Sequence, residues 1–227
     1  GRPTVNTVFL GGGTPSLLTP TQIGELLDSV KAAFAVHPQA EVSAEANPDD
    51  VTPERMAAFR ALGVNRLSMG VQSLDDGLLR VLGRRHDSAQ AQEAFRLLRS
   101  AGCSNVSLDL MYGLPDQTMD QWQRTVRLLL EMAPEHVSAY CLTLEEGTPL
   151  ASSVSAGRVP SPDQDLAADM YLWTEGALAA AGYDHYEISN WALPGFQSRH
   201  NLTYWRNLPY LGVGPGAHSF LGGYRFA

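Results

Sequence analysis

Cysteine is scarce in this 227-residue sequence: Cys103 and Cys141 are the only two, and they stand at no metal-ligand spacing. A disulfide scaffold is thereby excluded, and buried or idle thiols are expected. Positive charge is also short, with 16 Lys+Arg against 24 Asp+Glu and a net −8 at pH 7. No basic field is available to track a phosphate backbone, so nucleic acid is not expected as a primary partner. Long apolar runs are missing. Nothing approaches the roughly 18–20 residues of a membrane span, and no charged start with an apolar core marks a signal peptide. The chain reads as cytoplasmic and not membrane-spanning. An initiator methionine is missing too, since Gly1-Arg2-Pro3 stands three residues before a strand-like run. A fragment of a longer polypeptide is expected. What is present, 44% hydrophobic and 18% charged residues, suits an ordinary globular domain with its own core.

Short β-rich runs, Thr7–Leu10, Glu41–Glu45, Arg66–Met69, Val106–Met111 and Val137–Leu142, alternate with helical stretches, their starts 25 to 40 residues apart. That interval is one strand plus one crossover helix, which predicts an α/β fold with parallel strands. Thr19-Pro20, Thr52-Pro53 and Ser161-Pro162 each place an N-cap before an N1 proline, with Gln22 and Gln164 completing capping boxes. Ile23, Leu26, Leu27, Val30 and Phe34 share one helical face. Gly63, Gly102 and Gly182 close helices as left-handed C-caps. A Ser/Gly/Pro stretch from Gly147 to Pro162 reads as a loop, and a helix follows over about Asp163–Ala181. Residues 1–182 are therefore read as the strand-helix core. Residues 183–227, rich in His, Asn, Tyr, Trp and Gly, form a segment of different composition.

In a parallel sheet the ligand lies at the carboxyl ends of the strands. There Gly11-Gly12-Gly13-Thr14-Pro15 strips side chains from three successive positions and offers backbone groups to a close ligand. It is neither a dinucleotide fingerprint nor a P-loop. Glu45 ends its strand and can accept from an ammonium group, although a solvated strand-end carboxylate fits as well. Asp109 interrupts the run Val106–Met111, and a buried carboxylate needs a partner; a vicinal diol or a structural donor would serve. Arg84 can fork onto a carboxylate, or form a solvated pair with Arg85. His37, His136 and His185 stand isolated and are given surface or capping roles. In the tail, His200-Asn201-Leu202-Thr203-Tyr204-Trp205 and a glycine-rich turn ending at His218 offer an axial-type imidazole and flat apolar faces for a planar ligand. Backbone bonding by His200 and Asn201 is the plainer alternative.

Taken together, Val8-Phe9-Leu10-Gly11-Gly12-Gly13-Thr14-Pro15-Ser16, Glu45-Ala46-Asn47-Pro48, Arg66 through Ser73, Gly83-Arg84-Arg85-His86, Asp109 through Pro115, Tyr186-Glu187-Ile188-Ser189-Asn190 and His200-Asn201-x-x-Tyr204-Trp205 resemble the radical S-adenosylmethionine (SAM) superfamily. Within it they resemble the branch that holds oxygen-independent coproporphyrinogen III oxidase and the related heme chaperones. The pieces occur in family order over nearly the whole chain, and the last is associated with the chaperones. The resemblance implies a partial (β/α)₆ TIM-like barrel of the radical SAM type, lacking its first strand and cluster loop. Residues 1–182 would supply strands 2 to 6 and their helices, and residues 183–227 the start of the C-terminal region.

By the same resemblance, Gly12, Gly13 and Thr14 contact the amino and carboxylate end of SAM, Glu45 accepts from its amine and Arg84 pairs with its carboxylate. Asp109 holds the ribose hydroxyls with Gln72 nearby, while Met111 and the backbone from Tyr140 to Thr143 flank the adenine. His200, Tyr204 and Trp205 are the implied heme-binding residues. The implied cofactors are SAM and, in a full-length parent only, a [4Fe–4S] cluster; heme is cargo for recipient apo-hemoproteins. The Cys-x-x-x-Cys-x-x-Cys of the family does not occur here, so the chain is expected to cleave no SAM. A porphyrin-synthesising oxidase is the alternative function. A barrel that binds a nucleotide-like metabolite is a third.

Overall fold

The computed structural model describes residues 1–227. Five parallel strands lie side by side in chain order: β1 (Thr4–Leu10), β2 (Ala35–Ala46), β3 (Arg66–Gln72), β4 (Val106–Tyr112) and β5 (His136–Cys141). Between them run α1 (Pro20–Ala33), α2 (Pro53–Ala61), the pair α3 (Asp76–Val81) and α4 (Ser88–Ser100), and α5 (Met119–Met132). After β5 come α6 (Pro149–Ser155) and α7 (Gln164–Ala180). A hairpin of β6 (Asp184–Glu187) and β7 (Asn190–Ala192) then completes a seven-stranded sheet, β7 pairing antiparallel with β5. The sheet curls into a half-barrel. Beyond it lie α8 (Arg199–Trp205) and a separate ribbon of β8 (Ser219–Leu221) and β9 (Tyr224–Phe226).

Alternation along the strands divides the sheet into two unlike faces. Val42, Ala44, Leu67, Met69, Val71, Val106, Leu108, Leu110, Val137 and Ala139 face the helices and are buried with Ile23, Leu27, Phe59, Leu98, Trp122 and Leu129 in one core. At roughly 1.5–3 kcal/mol for each large apolar side chain taken fully from water, this outer layer supplies most of the drive to fold. The other face is concave and polar. It carries Glu41, Ser43, Glu45, Arg66, Ser68, Ser107, Asp109, His136 and Ser138, and much of it is buried.

Helix boundaries follow local chemistry. Thr19 accepts from the Gln22 N–H in a full capping box, and Thr52 accepts from the Arg55 N–H. Gly63, Gly102 and Gly182 end their helices with φ of 105°, 80° and 88°. Ser161-Pro162 does not cap α7. Asp163 does, accepting from the Leu166 N–H at 3.0 Å, because a carboxylate two residues on outcompetes a hydroxyl for the same helical donors. The Gly147–Pro162 stretch is not all loop. Thr148 caps α6 there, with Pro149 at its first position. On α1, Ile23 and Leu27 are buried while Leu26 is 45% exposed, so the apolar face is narrower than its sequence reads.

One ion pair ties three of these units together. Arg99 at the end of α4 makes a two-pronged contact with Glu135, at 2.8 and 2.7 Å, and also donates to the Cys103 and Ala133 carbonyls. Glu135 in turn accepts from the Val106 N–H at the start of β4. Replacing Glu135 with alanine strands the guanidinium and that N–H together. The expected cost is about 1–3 kcal/mol, read as a lower urea midpoint with an unchanged m-value.

Candidate functional site

At the carboxyl edge of the sheet the strand ends converge through side-chain contacts. Asn47, just past β2, donates to the Thr14 hydroxyl at 3.4 Å and accepts from Arg84 Nη2 at 2.7 Å. The same Arg84 nitrogen donates to the Gly70 carbonyl at 2.9 Å. Thr14, Asn47, Gly70 and Arg84 thus form one continuous chain across three loops. A side chain at Gly70 would meet the Gln72 amide at 2.9 Å and Arg84 at 3.5 Å, so glycine is what lets these groups close up. Gln72 itself has φ 68°, an uncommon value for a side-chain-bearing residue, where β3 loses register with β4.

Glu45 projects from the last turns of β2 and accepts from the Gly12 N–H at 3.3 Å. Gly12 has φ 80°, a left-handed value that glycine adopts freely, and its N–H meets the Glu45 carboxylate. Burial raises the Glu45 carboxyl above its ordinary range, the Asp109 charge raises it further, and the Gly12 hydrogen bond lowers it in part. Asp109 on β4 is also raised, first by burial, against the pull of the Ser68, Ser107 and Ser138 hydroxyls and the Arg66 charge. Ser68 Oγ lies 2.8 and 2.9 Å from the two Asp109 oxygens, and Ser107 Oγ 3.0 Å from Oδ1. Two desolvated carboxylates facing one concavity favour an entering cation or hydroxyl donor. Either would relieve both.

The structure therefore brings Gly12, Thr14, Glu45, Gln72, Arg84 and Asp109 to one edge. Gly13 lies in the same loop with open space at its α-carbon. Met111 and Tyr140 are register partners beside Asp109, the first half-buried and the second 45% exposed. Thr143 lies exposed past the end of β5. Arg84 is half-buried, unlike its neighbour Arg85, which pairs with Asp49 at 2.6 Å on the surface.

The tail reaches the other end of the concave face. Glu41, buried on β2, accepts from the Arg199 and His200 N–H groups at 2.9 Å each and so fastens the start of α8. Arg66 donates to the Phe196 carbonyl at 3.0 Å. The His200 ring stacks on Phe9 with centroids 5.1 Å apart, its Nδ1 2.9 Å from the Thr7 hydroxyl and its Nε2 2.8 Å from the Tyr204 hydroxyl. Both ring nitrogens are engaged, by side chains and not by loop backbone. Burial lowers the His200 pKa, which favours the neutral ring. Tyr204 and Trp205 are 44% and 50% exposed. His218 is exposed as well.

His136 departs most from its sequence reading. It has no surface role: buried on β5, it bonds Ser107 Oγ at 2.8 Å and the Tyr186 hydroxyl at 2.8 Å. It follows Glu135, a polar start that masks its inward register. Sequence reasoning also passed over Ser68, Ser107 and Ser138, although β2 to β5 each carry a serine, Ser43 included, at an inward-facing position. That recurrence was the available signal.

Residues 1–129 match the model of the radical SAM superfamily. A heme chaperone HemW of Mycobacterium tuberculosis is 44% identical over 97% of this chain and 56% of its own length. The HemW of Escherichia coli is 43% identical over 94% of this chain and 56% of its own. A mitochondrial radical S-adenosyl methionine domain-containing protein 1 of Bos taurus is 47% identical over 94% and 48%. The chain thus spans about half the length of the curated relatives it matches. Among solved structures, the coproporphyrinogen III oxidase HemN of Escherichia coli superposes with a TM-score of 0.81 at 26% identity, covering 96% of this chain and 53% of that one.

The raised Glu45 carboxyl has a consequence for stability. Its protonated form is favoured by folding, so its contribution is complete below the ordinary glutamate pKa and is lost as pH rises through the folded value. Glu45→Gln keeps an acceptor for Gly12 and removes that loss. The variant is expected to match wild type at pH below about 4 and to exceed it in urea midpoint toward pH 8, the two diverging from the ordinary carboxylate pKa upward. A wild type that gains on the variant as pH rises would show the carboxylate to be favourably paired instead.

Proposed function

The chain belongs to the radical SAM superfamily, and on that premise we propose that it is the barrel portion of a heme chaperone, which binds SAM at the strand ends and carries heme to apo-hemoproteins. The single observation that carries the SAM half is the complementary set on one edge. Glu45 and Asp109 lie close enough on the concave face for each charge to act on the other, and Arg84 stands at the loop ends beside Asn47 and Gly70. SAM presents an ammonium, a vicinal diol and a carboxylate, which these three answer in turn. The Gly12-Gly13-Thr14 backbone would lie against the amino-acid end, Gln72 beside the ribose, and Met111 with Tyr140 to Thr143 beside the adenine.

Membership of the superfamily implies SAM and a [4Fe–4S] cluster. The residues of this chain do not fit the cluster. Cys103 is buried, Cys141 is exposed, and no three His, Cys, Asp or Glu side chains are grouped to hold a metal ion. Its cysteines would have to come from outside these 227 residues, and without the cluster iron, SAM is held here by the protein groups alone. Weak binding is the expected result.

The heme half rests on the tail. Identity of 43–44% to bacterial heme chaperones over nearly the whole chain stands against 26% to the oxidase, which favours the chaperone reading. Burial favours the neutral form of His200, the form that ligates iron, and ligation would exchange its Nε2 contact with Tyr204 for the metal. The oxidase reading keeps one observation of its own, the close superposition on HemN.

Two measurements test the reading. Hemin added to wild type is expected to shift its Soret band, and His200→Ala, shown folded by circular dichroism, is expected to abolish the shift. A folded variant with an unchanged spectrum removes His200 as ligand and passes the role to His218 or to none. In the full-length, cluster-loaded protein Asp109→Ala is expected to weaken SAM binding by roughly 1–3 kcal/mol without unfolding the barrel. Unchanged affinity would make Asp109 a purely structural carboxylate.

A further inference from the structure

The Tyr186-Glu187-Ile188-Ser189-Asn190 hairpin lies outside the groups that would meet SAM or heme. It joins β6 to β7 at the far side of the sheet from the glycine loop, yet two of its side chains reach the centre of the concave face. The Tyr186 hydroxyl contacts His136 Nε2 at 2.8 Å, His136 Nδ1 contacts Ser107 Oγ at 2.8 Å, and Ser107 Oγ contacts Asp109 Oδ1 at 3.0 Å. Asn190, buried on β7, accepts from the Ser138 hydroxyl, which lies 3.3 Å from that same Ser107 oxygen. Glu187 holds the Asn190 amide nitrogen and so fixes which end of Asn190 meets Ser138. The Tyr186 branch runs through Ser107 to Asp109, and the Asn190 branch holds Ser138 beside the same Ser107 oxygen.

The direction of the chain is set at its outer end. The Tyr186 oxygen accepts from the Ser198 N–H at 3.3 Å, and the Asn201 side chain faces it too, so its lone pairs are taken and its own proton must be given away. His136 receives it at Nε2. Burial and the nearby Arg66 charge keep that ring neutral, which leaves one proton, on Nδ1, for Ser107. Ser107 then spends its own proton on Asp109 Oδ1. Every link of this branch points toward Asp109, which accepts from Ser107 at Oδ1, while Ser138 gives its own proton outward to Asn190. The Asp109 Oδ1 is held by Ser107 and Ser68, while Oδ2 shares the Ser68 hydroxyl at 2.9 Å and, with the Ser138 hydroxyl also near the carboxylate, keeps lone-pair capacity for a ligand.

We propose that Tyr186, His136 and Ser107 are positioning residues that lock Asp109 as a one-sided hydrogen-bond acceptor, with Oδ2 presented to a vicinal diol at the strand ends. The proposal rests on the reading that Asp109 meets the ribose of SAM. It adds that the selectivity of the site for a diol is set from the hairpin, two strands away, through a relay that touches no ligand itself.

The test uses the full-length, cluster-loaded protein and two probes, S-adenosylhomocysteine and its 2′-deoxy analogue, with affinities taken by equilibrium dialysis and folding checked by circular dichroism. The readout is the ratio of the two affinities, which general damage to the barrel leaves alone. Tyr186→Phe and Ser107→Ala are each expected to lower that ratio about tenfold, the order of one charge-assisted hydrogen bond, and the double variant to lower it no further. His136→Gln, which keeps a donor and an acceptor, is expected to restore part of the ratio that His136→Ala loses. A ratio unmoved by Tyr186→Phe and Ser107→Ala, in a protein where Asp109→Asn does move it, overturns the relay and leaves the ribose reading standing. A ratio unmoved by Asp109→Asn overturns the ribose reading and the relay with it.

Discussion

Carboxylates on the inside of a barrel must be answered by donors, and the concave face of this half-barrel is organised around that constraint. Taking an ionised carboxylate out of water without partners costs more than the surrounding packing can offset. Glu41 is answered by two N–H groups of α8, Asp109 by Ser68 and Ser107, and Glu45 by the Gly12 N–H alone. The three therefore differ in how much acceptor capacity remains. Glu41 is spent on structure, Asp109 is half spent, and Glu45 is nearly free. Glu41 and the other two thus separate scaffold from site, the spent carboxylate toward the start of the strands and the two with free capacity nearer their carboxyl edge.

Much of the architecture was legible in the sequence because its causes are local. A capping threonine before Pro20 or Pro53, an apolar β-branched run and a closing glycine each act within a few positions, and the five parallel strands follow from their spacing. The strand-end residues were legible for a related reason: Gly12, Glu45 and Asp109 interrupt patterns that packing alone would continue. What stayed hidden depends on pairs far apart in sequence. His136 looks isolated until β4 brings Ser107 beside it and the hairpin brings Tyr186. Asp163 took the cap from Ser161, a choice the sequence left open because two adequate caps stood two residues apart and the stronger acceptor won. The antiparallel addition of β7 to an otherwise parallel sheet left no signature in a three-residue strand.

Arg84 shows how a site can be rigid while built from loops. One nitrogen serves both Asn47 and the Gly70 carbonyl, so the β2 and β3 ends cannot move apart without losing both contacts. A planar, always-charged group suits this use, since it keeps its geometry whatever the pH around it. The remaining guanidinium edge is what a carboxylate could meet.

Fastening α8 to β2 has a consequence for the order in which the molecule assembles. Glu41 and its His200 N–H partner are 159 residues apart, and Arg66 lies 130 residues before the Phe196 carbonyl that it holds. On a ribosome adding about 5–20 residues per second, those early strands wait on the order of 10–30 s for the segment that answers them. Until then Glu41 lacks the N–H groups that answer it and Arg66, although already bonded to Asn105, lacks the Phe196 carbonyl, so the inner face stays wet and open. The outer apolar layer can form during this interval, because its strands and helices are neighbours in the chain. The interior is thereby the last part to dry, and completion of the barrel floor becomes a checkpoint that an incomplete chain cannot pass.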